Sequence, residues 1–564
     1  MRIHALKPLA MVVLACTSSL AVAADQREEL LEIKHTILNL VDQLVTNKII
    51  TAAQAEKMKQ EAQDKARGQA ATEAKEQIAS NTETAPLPED SATKKVVRVP
   101  YVPEFVKEDI RNQVKAELRK EVHDDVVATA KAEQWGTAKA LPEWVNTFKW
   151  YGDIRLRHQG DFFDAENRAN SYANFAAINR AGNITGADTF LNVTEDRQRE
   201  RMQMRFGFEA RPFDSLRIGA RLVTGNETDP TSLNQTLGQN FGRYRVALDQ
   251  GYLRWALSDD QSNEYLVLNG GRIQRPFFST NLVWDEDVSF EGVAVSVIHS
   301  VSTDDSLFGD QFPNNTFNLT LGVFPLAENE LAVDDNSSND KWLLGAQLSF
   351  LHSFENQNSV HFGAAVYDYL DIVGKFNPDG AIGNTAFDWT APAVLQKGNS
   401  LYPIKFDSAG NPSLFGLAAN YTLVNLTGEA VFSYFAPIQV VLTGDYVKNI
   451  GFDKRTVLRR TGTSVSDRSS GFHIALDVGW SKMNKFGDWD VFAAYKFLER
   501  DAVLDAYTDS DFHLGGTDAK GWIIGGKYGL ARNTWLQLRY LSSDSIDGPP
   551  LGIDTLQVDL NAKF

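Results

Sequence analysis

The chain has 564 residues, a formal charge of −17 and a pI near 5.1, with 43% apolar, 23% charged and 11% aromatic residues. That acidic balance excludes a general nucleic-acid binder, which needs a basic face to release phosphate counterions, so no nucleic-acid partner is expected. No apolar run of membrane-helix length follows the N-terminus, which leaves a soluble protein or a transmembrane barrel whose alternating strands escape hydropathy windows.

Residues 1–24 read as a secretory signal peptide: Arg2 and Lys7 supply the positive end, Leu9 to Cys16 the apolar stretch, and Ala21-Val22-Ala23 a small-residue cleavage site. The rival reading is a lipoprotein signal at Val13-Leu14-Ala15-Cys16, with a lipid on Cys16. Leu14 is bulky there and a conventional site follows. Cys16 is the sole cysteine, so no disulfide is expected in the mature chain.

Over 25–80, Leu30, Ile33, Ile37, Leu40 and Leu44 recur three and four apart as a short heptad seam. So short a helix is marginal alone and needs a partner. Thr51 and Gln54 form a capping box that starts a second helix, so the unit is a helical hairpin or a short oligomerising coiled coil. Residues 81–103, with Pro86, Pro88, Pro100 and Pro103, are a linker. In a third helix over 104–140, Val106, Ile110, Val114, Leu118 and Val122 recur every four residues, so the stripe turns around the surface.

From 141 to 564 the period becomes two. Phe148, Trp150, Ile154 and Leu156 interleave with Lys149, Tyr151, Asp153, Arg155 and Arg157, and Met202, Met204, Phe206 and Phe208 with Arg201, Gln203, Arg205 and Glu209. Comparable segments recur, among them 415–423, 425–435 and 438–447, to a total of about sixteen to eighteen strands. Short turns such as Pro212-Phe213-Asp214-Ser215 and Ala436-Pro437 trade off with long polar loops at 159–198, 225–243 and 370–413. The last strand places Leu556, Val558, Leu560, Ala562 and Phe564 on one face. A terminal Phe after such alternation resembles the signal that outer-membrane barrels present to the barrel assembly machinery. The rival reading is an amphipathic edge strand, which would leave a soluble protein prone to unwanted pairing.

In hydrocarbon every backbone N–H and C=O must be paired internally, so these strands can span only as a closed barrel. The fold class expected is an all-β antiparallel transmembrane barrel with an N-terminal α-helical periplasmic extension. So many strands enclose a lumen too wide for side chains to fill, hence an aqueous channel. Trp150, Trp255, Trp342, Trp389, Trp480, Trp489, Trp522 and Trp535 are candidates for interfacial girdles, or else core residues. Arg155, Arg157, Arg201, Arg205, Arg217 and Arg221 fall on the inward rows of three consecutive strands and are candidates for a basic pore wall. The rival reading is a solvated set of lumen charges without selectivity. Asp285, Glu286 and Asp287 end a loop which, folded inward, would oppose that wall and form a constriction.

Four stretches, Leu38 to Thr51 (LNLVDQLVTNKIIT), Val97 to Glu104 (VRVPYVPE), Leu141 to Arg157 (LPEWVNTFKWYGDIRLR) and Gly271 to Gly292 (GRIQRPFFSTNLVWDEDVSFEG), occur in this order together with Phe564. In this the sequence resembles a porin family of Gram-negative outer membranes that carries an N-terminal helical extension. The resemblance covers essentially the whole mature chain and implies an outer-membrane barrel with porin-type transport. It supplies no substrate and no functional residues.

No catalytic, cofactor or metal site is expected. Gly521 to Lys527 (GWIIGGK) has phosphate-loop spacing, but Tyr528 replaces the magnesium-binding hydroxyl and the segment alternates like a strand. The nine histidines show no HExxH-type spacing. The leading expectation is a channel for passive diffusion of small hydrophilic solutes and ions, with outer-membrane lipids around it and a homotrimer as the assembly. Its rivals are an envelope tether, in which the N-terminal helices hold cell wall or a periplasmic partner, and a barrel-embedded enzyme. Loss of envelope integrity with intact uptake on deleting 25–140 would favour the tether. Turnover by the purified protein would favour the enzyme.

Overall fold

A computed structural model describes residues 147–564 apart from 185–187, 227, 260–261, 302–314, 331, 334–335, 338, 355–356 and 378–383. The signal segment, the expected helices over 25–80 and 104–140 and the linker 81–103 lie outside the described residues.

Period-two sequence becomes sixteen long strands. The first eight are β1 (Lys149–Phe163), β2 (Arg197–Phe213), β3 (Leu216–Val223), β4 (Ala247–Ser258), β5 (Glu264–Gln274), β6 (Ser289–Val301), β7 (Asn315–Ala327) and β8 (Lys341–Ser353). The second eight are β9 (Ser359–Leu370), β10 (Thr422–Phe435), β11 (Ile438–Asn449), β12 (Ser470–Trp480), β13 (Trp489–Leu498), β14 (Ala519–Ala531), β15 (Thr534–Ser545) and β16 (Gly552–Lys563). Each pairs antiparallel with the next, and β16 pairs with β1 from Asp153↔Lys563 to Phe163↔Ile553, so the sheet closes into a barrel. Where β3 stops at Val223, the two-residue segment Gln235–Thr236 takes its place beside β2.

Polarity decides which face meets what. On β8, Leu348 is 56% exposed, whereas its neighbour Gln347 is 3% exposed. Leu319, Leu321 and Val323 on β7, Leu426 on β10 and Leu536 and Leu538 on β15 also face out, while Arg157, Gln557 and Asp559 are buried inside. A greasy exterior around a polar interior reverses the order of a water-soluble fold and matches what hydrocarbon demands of a spanning barrel.

Both ends of the barrel chain lie on one rim. There Phe564 continues the seam: its N–H donates to the Gly152 carbonyl at 3.0 Å, and the Gly152 N–H donates to its carbonyl at 3.2 Å. Position 152 must be glycine, because a Cβ would stand 2.4 Å from the Phe564 ring and 2.8 Å from the Arg205 carbonyl oxygen. Short turns such as 214–215, 436–437 and 532–533 lie at this rim, and the opposite rim carries the long loops. Those loops hold two short helices, α1 (Phe175–Ala181) and α2 (Lys454–Thr461), capped by Asn174 and Asp453.

Some expectations need correction. The segment 415–423 is not a spanning strand. Leu401–Phe406 and Pro412–Leu417 form a hairpin inside the loop 371–421, and the spanning strand begins at Thr422. Its apolar residues misled because they serve a second core: Ile404, Leu414, Leu417, Ala419 and Tyr421 are buried with Phe277, Trp284 and Tyr367 in a cluster formed by loops and the barrel's inner wall. Trp389 is likewise no girdle residue, being buried in the 3-10 turn Asp388–Thr390. Trp535 falls on the inward row of β15, with the Lys563 ammonium 5.3 Å from its ring. Trp150, Trp255 and Trp522 do face outward, and Trp480 and Trp489 pack together, 5.6 Å between centroids, where β12 and β13 meet their turn.

Candidate constriction inside the barrel

The inward rows of β1, β2 and β3 carry the six arginines singled out by alternation, and four of them meet carboxylates. Arg157 is clamped on both sides. Its Nε and Nη2 donate to Asp559 on β16 at 2.7 and 2.9 Å, and its Nη1 donates to both oxygens of Asp511 at 3.0 Å. Arg539 on β15 also donates to Asp511, at 2.9 Å. Arg205 pairs with Asp153 at 2.9 Å and lies 3.8 Å from Asp287. Arg221 pairs with Asp249, and Arg217 stands 3.8 Å from Glu209 and 3.5 Å from Glu264.

Arg155 and Arg201 differ. Among the described residues neither has an ion pair. Arg155 donates to the Asn234 side-chain oxygen at 2.9 Å, and Arg201 to Gln159 at 3.0 Å and the Ser232 hydroxyl at 3.3 Å. The Nε of each is buried without an acceptor. The arrangement is therefore a mixed-sign lattice with two cations outside direct ion pairs rather than a uniformly positive wall.

The loop between β5 and β6, 275–288, folds into the barrel. Its apolar residues anchor it: Phe277, Leu282, Val283 and Trp284 are all buried, with Trp284 packed among the rings of Phe290, Tyr367, Tyr369 and Tyr507. Polar contacts then tie it to distant walls. The Phe278 N–H donates to the Gln347 side chain on β8 at 2.7 Å, the Thr280 hydroxyl to Asp445 on β11 at 2.7 Å, and the Lys496 ammonium on β13 to the Asn281 carbonyl at 3.0 Å. A second inward loop, 499–518, meets it where Asp285 N–H donates to the Tyr507 carbonyl at 2.8 Å and Ser510 N–H donates to the Asp285 carboxylate at 2.9 Å. Among the described residues, cavities of about 1100 and 360 Å³ lie against these loops and the inner wall.

The family profile described as Putative porin matches residues 34–564. The chain belongs to that family. It is a porin-type channel of the outer membrane, as family and barrel together require. No curated relative matches it. Solved structures similar to this porin include OprB of Pseudomonas putida, at 12% identity and TM-score 0.41, covering 75% of this chain and 96% of that one. The outer membrane channel DcaP of Acinetobacter baumannii is similar at 10% identity and TM-score 0.36, covering 74% and 97%. Salmonella typhi OmpF in complex with daunomycin is similar at 11% identity and TM-score 0.36, again covering 74% and 97%.

The porin's three consecutive loop acids are not equivalent. Asp285 and Asp287 are buried at 4% and 7%, whereas Glu286 is exposed. Burial, then the neighbouring Asp287 and Asp509 carboxylates, push Asp285 well above the usual carboxylate range. Burial and Glu286 raise Asp287 to about 6 against the pull of Arg155 and Arg205. A raised acid holds its proton in the fold while the unfolded chain has released it, so stability falls as pH rises from about 4 to about 6. The loss is on the order of 2–3 kcal/mol. Asp287→Asn is expected to flatten that slope in detergent unfolding curves taken from pH 4 to 7, and an unchanged slope would refute the assignment.

Alternation also passed over the carboxylates that complete the lattice. Asp559 lies on the polar row of the last strand and could have been found by pairing that strand with the first. Asp511 sits in a loop, and no local pattern marks it. Burial works against its charge, yet Arg157, Arg539, Arg155 and Arg201 hold its carboxyl well below the usual range. Among the described residues no cluster of three or more His, Cys, Asp or Glu could hold a metal ion.

Proposed function

We propose that the barrel is a water-filled pore for passive diffusion of small hydrophilic solutes and ions, narrowed where loop 275–288 faces the arginines of β1 to β3. The observation that carries this reading is the inward course of that loop, tied to β8, β11 and β13 across the lumen. Glu286 supplies the accessible negative charge, and Arg155 and Arg201, bonded only to neutral acceptors, the positive one, so solutes crossing between them experience a transverse field. Asp285 and Asp287 fix the loop instead of lining the path.

Planar-bilayer recording of the full chain tests it. Glu286→Gln is expected to shift reversal potentials toward anions, and Arg155→Gln toward cations, each with an open channel. Reversal potentials unmoved by both changes would remove the constriction from this place.

The assembly we propose is a homotrimer with the N-terminal helices in the periplasm. The heptad seam over Leu30 to Leu44 supports it, since so short an apolar stripe needs partner helices. So does the outward His158–Glu200 pair on β1 and β2, 2.7 Å apart, which suits a neighbouring protomer better than lipid. Phe564, laddered to Gly152, is the proposed contact for the assembly machinery.

A further inference from the structure

The smaller cavity, about 360 Å³, lies at the loop end of β1 and β2 against loops 224–246, 371–421 and 499–518. Among the described residues its lining carries Arg197, Arg199, Arg201 and Lys397 against two carboxylates, Asp161 and Asp229. Both carboxylates are already committed. Asp161 is held by Arg199 and accepts from Gln159 at 2.8 Å, while Asp229 accepts from the N–H and hydroxyl of Thr231 at 3.0 and 2.8 Å. Lys397 is occupied too, its ammonium donating to the carbonyls of His513 and Gly515. Two cations are left over: Arg201, which reaches only neutral acceptors, and Arg197, which has no ion pair among the described residues.

An enclosed guanidinium without a carboxylate in contact is costly, and a planar fork of donors beside hydroxyls suits an oxyanion. We propose that this chamber binds a small oxyanion of charge near −2 on its way through the pore, a short dicarboxylate or a phosphate, with Arg201 and Arg197 as the recognising groups and the hydroxyls of Thr231 and Ser232 beside them. This rests on the channel reading above and names the solute class that the channel favours.

Single-channel recording of the full chain in potassium chloride, with succinate or inorganic phosphate added on the loop side, tests it. At least one anion is expected to reduce the open current in a concentration-dependent way, and which one does so identifies the source. Arg201→Gln is expected to raise the half-blocking concentration about tenfold or more, the value of one charge-assisted hydrogen bond. Arg197→Gln, on an exposed side chain that the fold does not need, is expected to raise it as well, while Lys448→Gln leaves it unchanged. A channel that opens yet ignores both anions overturns the chamber and leaves the channel standing. If no channel opens, calorimetry on the detergent-solubilised chain decides: binding lost in Arg197→Gln supports the site, and no binding of either anion overturns it.

Discussion

Arg157→Met is expected to lower the unfolding free energy by about 3–5 kcal/mol, the cost of breaking a buried ion network by removing one partner. Arg157 is 1% exposed and Asp559 also 1%, so Asp559 gains no water when the guanidinium is lost. Arg539 still reaches Asp511, which leaves Asp559 as the stranded charge. The double change Arg157→Met with Asp559→Leu removes both ends of the pair and is expected to recover most of the loss. Unfolding in detergent by denaturant, read through tryptophan fluorescence, measures both. A single variant within about 1 kcal/mol of the parent would mean that the network is solvated and the lumen wetter than its burial implies.

Trp284→Ala is expected to open the pore. Truncating a side chain this buried costs about 3–5 kcal/mol, and here the loss falls on one loop instead of on the whole barrel. The strands keep their ladders, so the barrel stays folded while loop 275–288 loses its deepest anchor. Single-channel conductance is expected to rise at least twofold, the order expected when an obstruction leaves an aqueous path lined by about sixteen strands. Conductance unchanged in a folded variant would show that the loop does not set the width of the path. Arg205→Gln separates the two kinds of anchor, since it removes the ion pair with Asp287 but leaves the aromatic packing intact.

How much of this could be read from residues alone follows from how local each signal is. Alternation is local, so Ile154, Leu156, Arg155 and Arg157 already assign inside and outside, and the short turns at 214–215 and 436–437 mark hairpins. The inward loop was legible only as a possibility, because Phe277 and Trp284 are apolar for rings that lie on β6, β7 and β9 and in the loop 499–518. The hairpin at 401–417 failed for the same reason in reverse: its alternation serves the loop core, and a period of two does not say which core. Asp511 was invisible, since a carboxylate in a loop acquires its role only when three distant arginine-bearing strands, β1, β2 and β15, curl around it.

The seam between β1 and β16 has a consequence for biogenesis. Residues Asp153 and Lys563 stand side by side although nearly the whole barrel sequence separates them, so the ring cannot close until β16 has reached β1. Until then two naked margins coexist on one molecule, each able to recruit the other or a stranger. Closure therefore rests on a short stretch of ladder at one corner, where losing Phe564 would remove the pair of bonds that latch Gly152 to it.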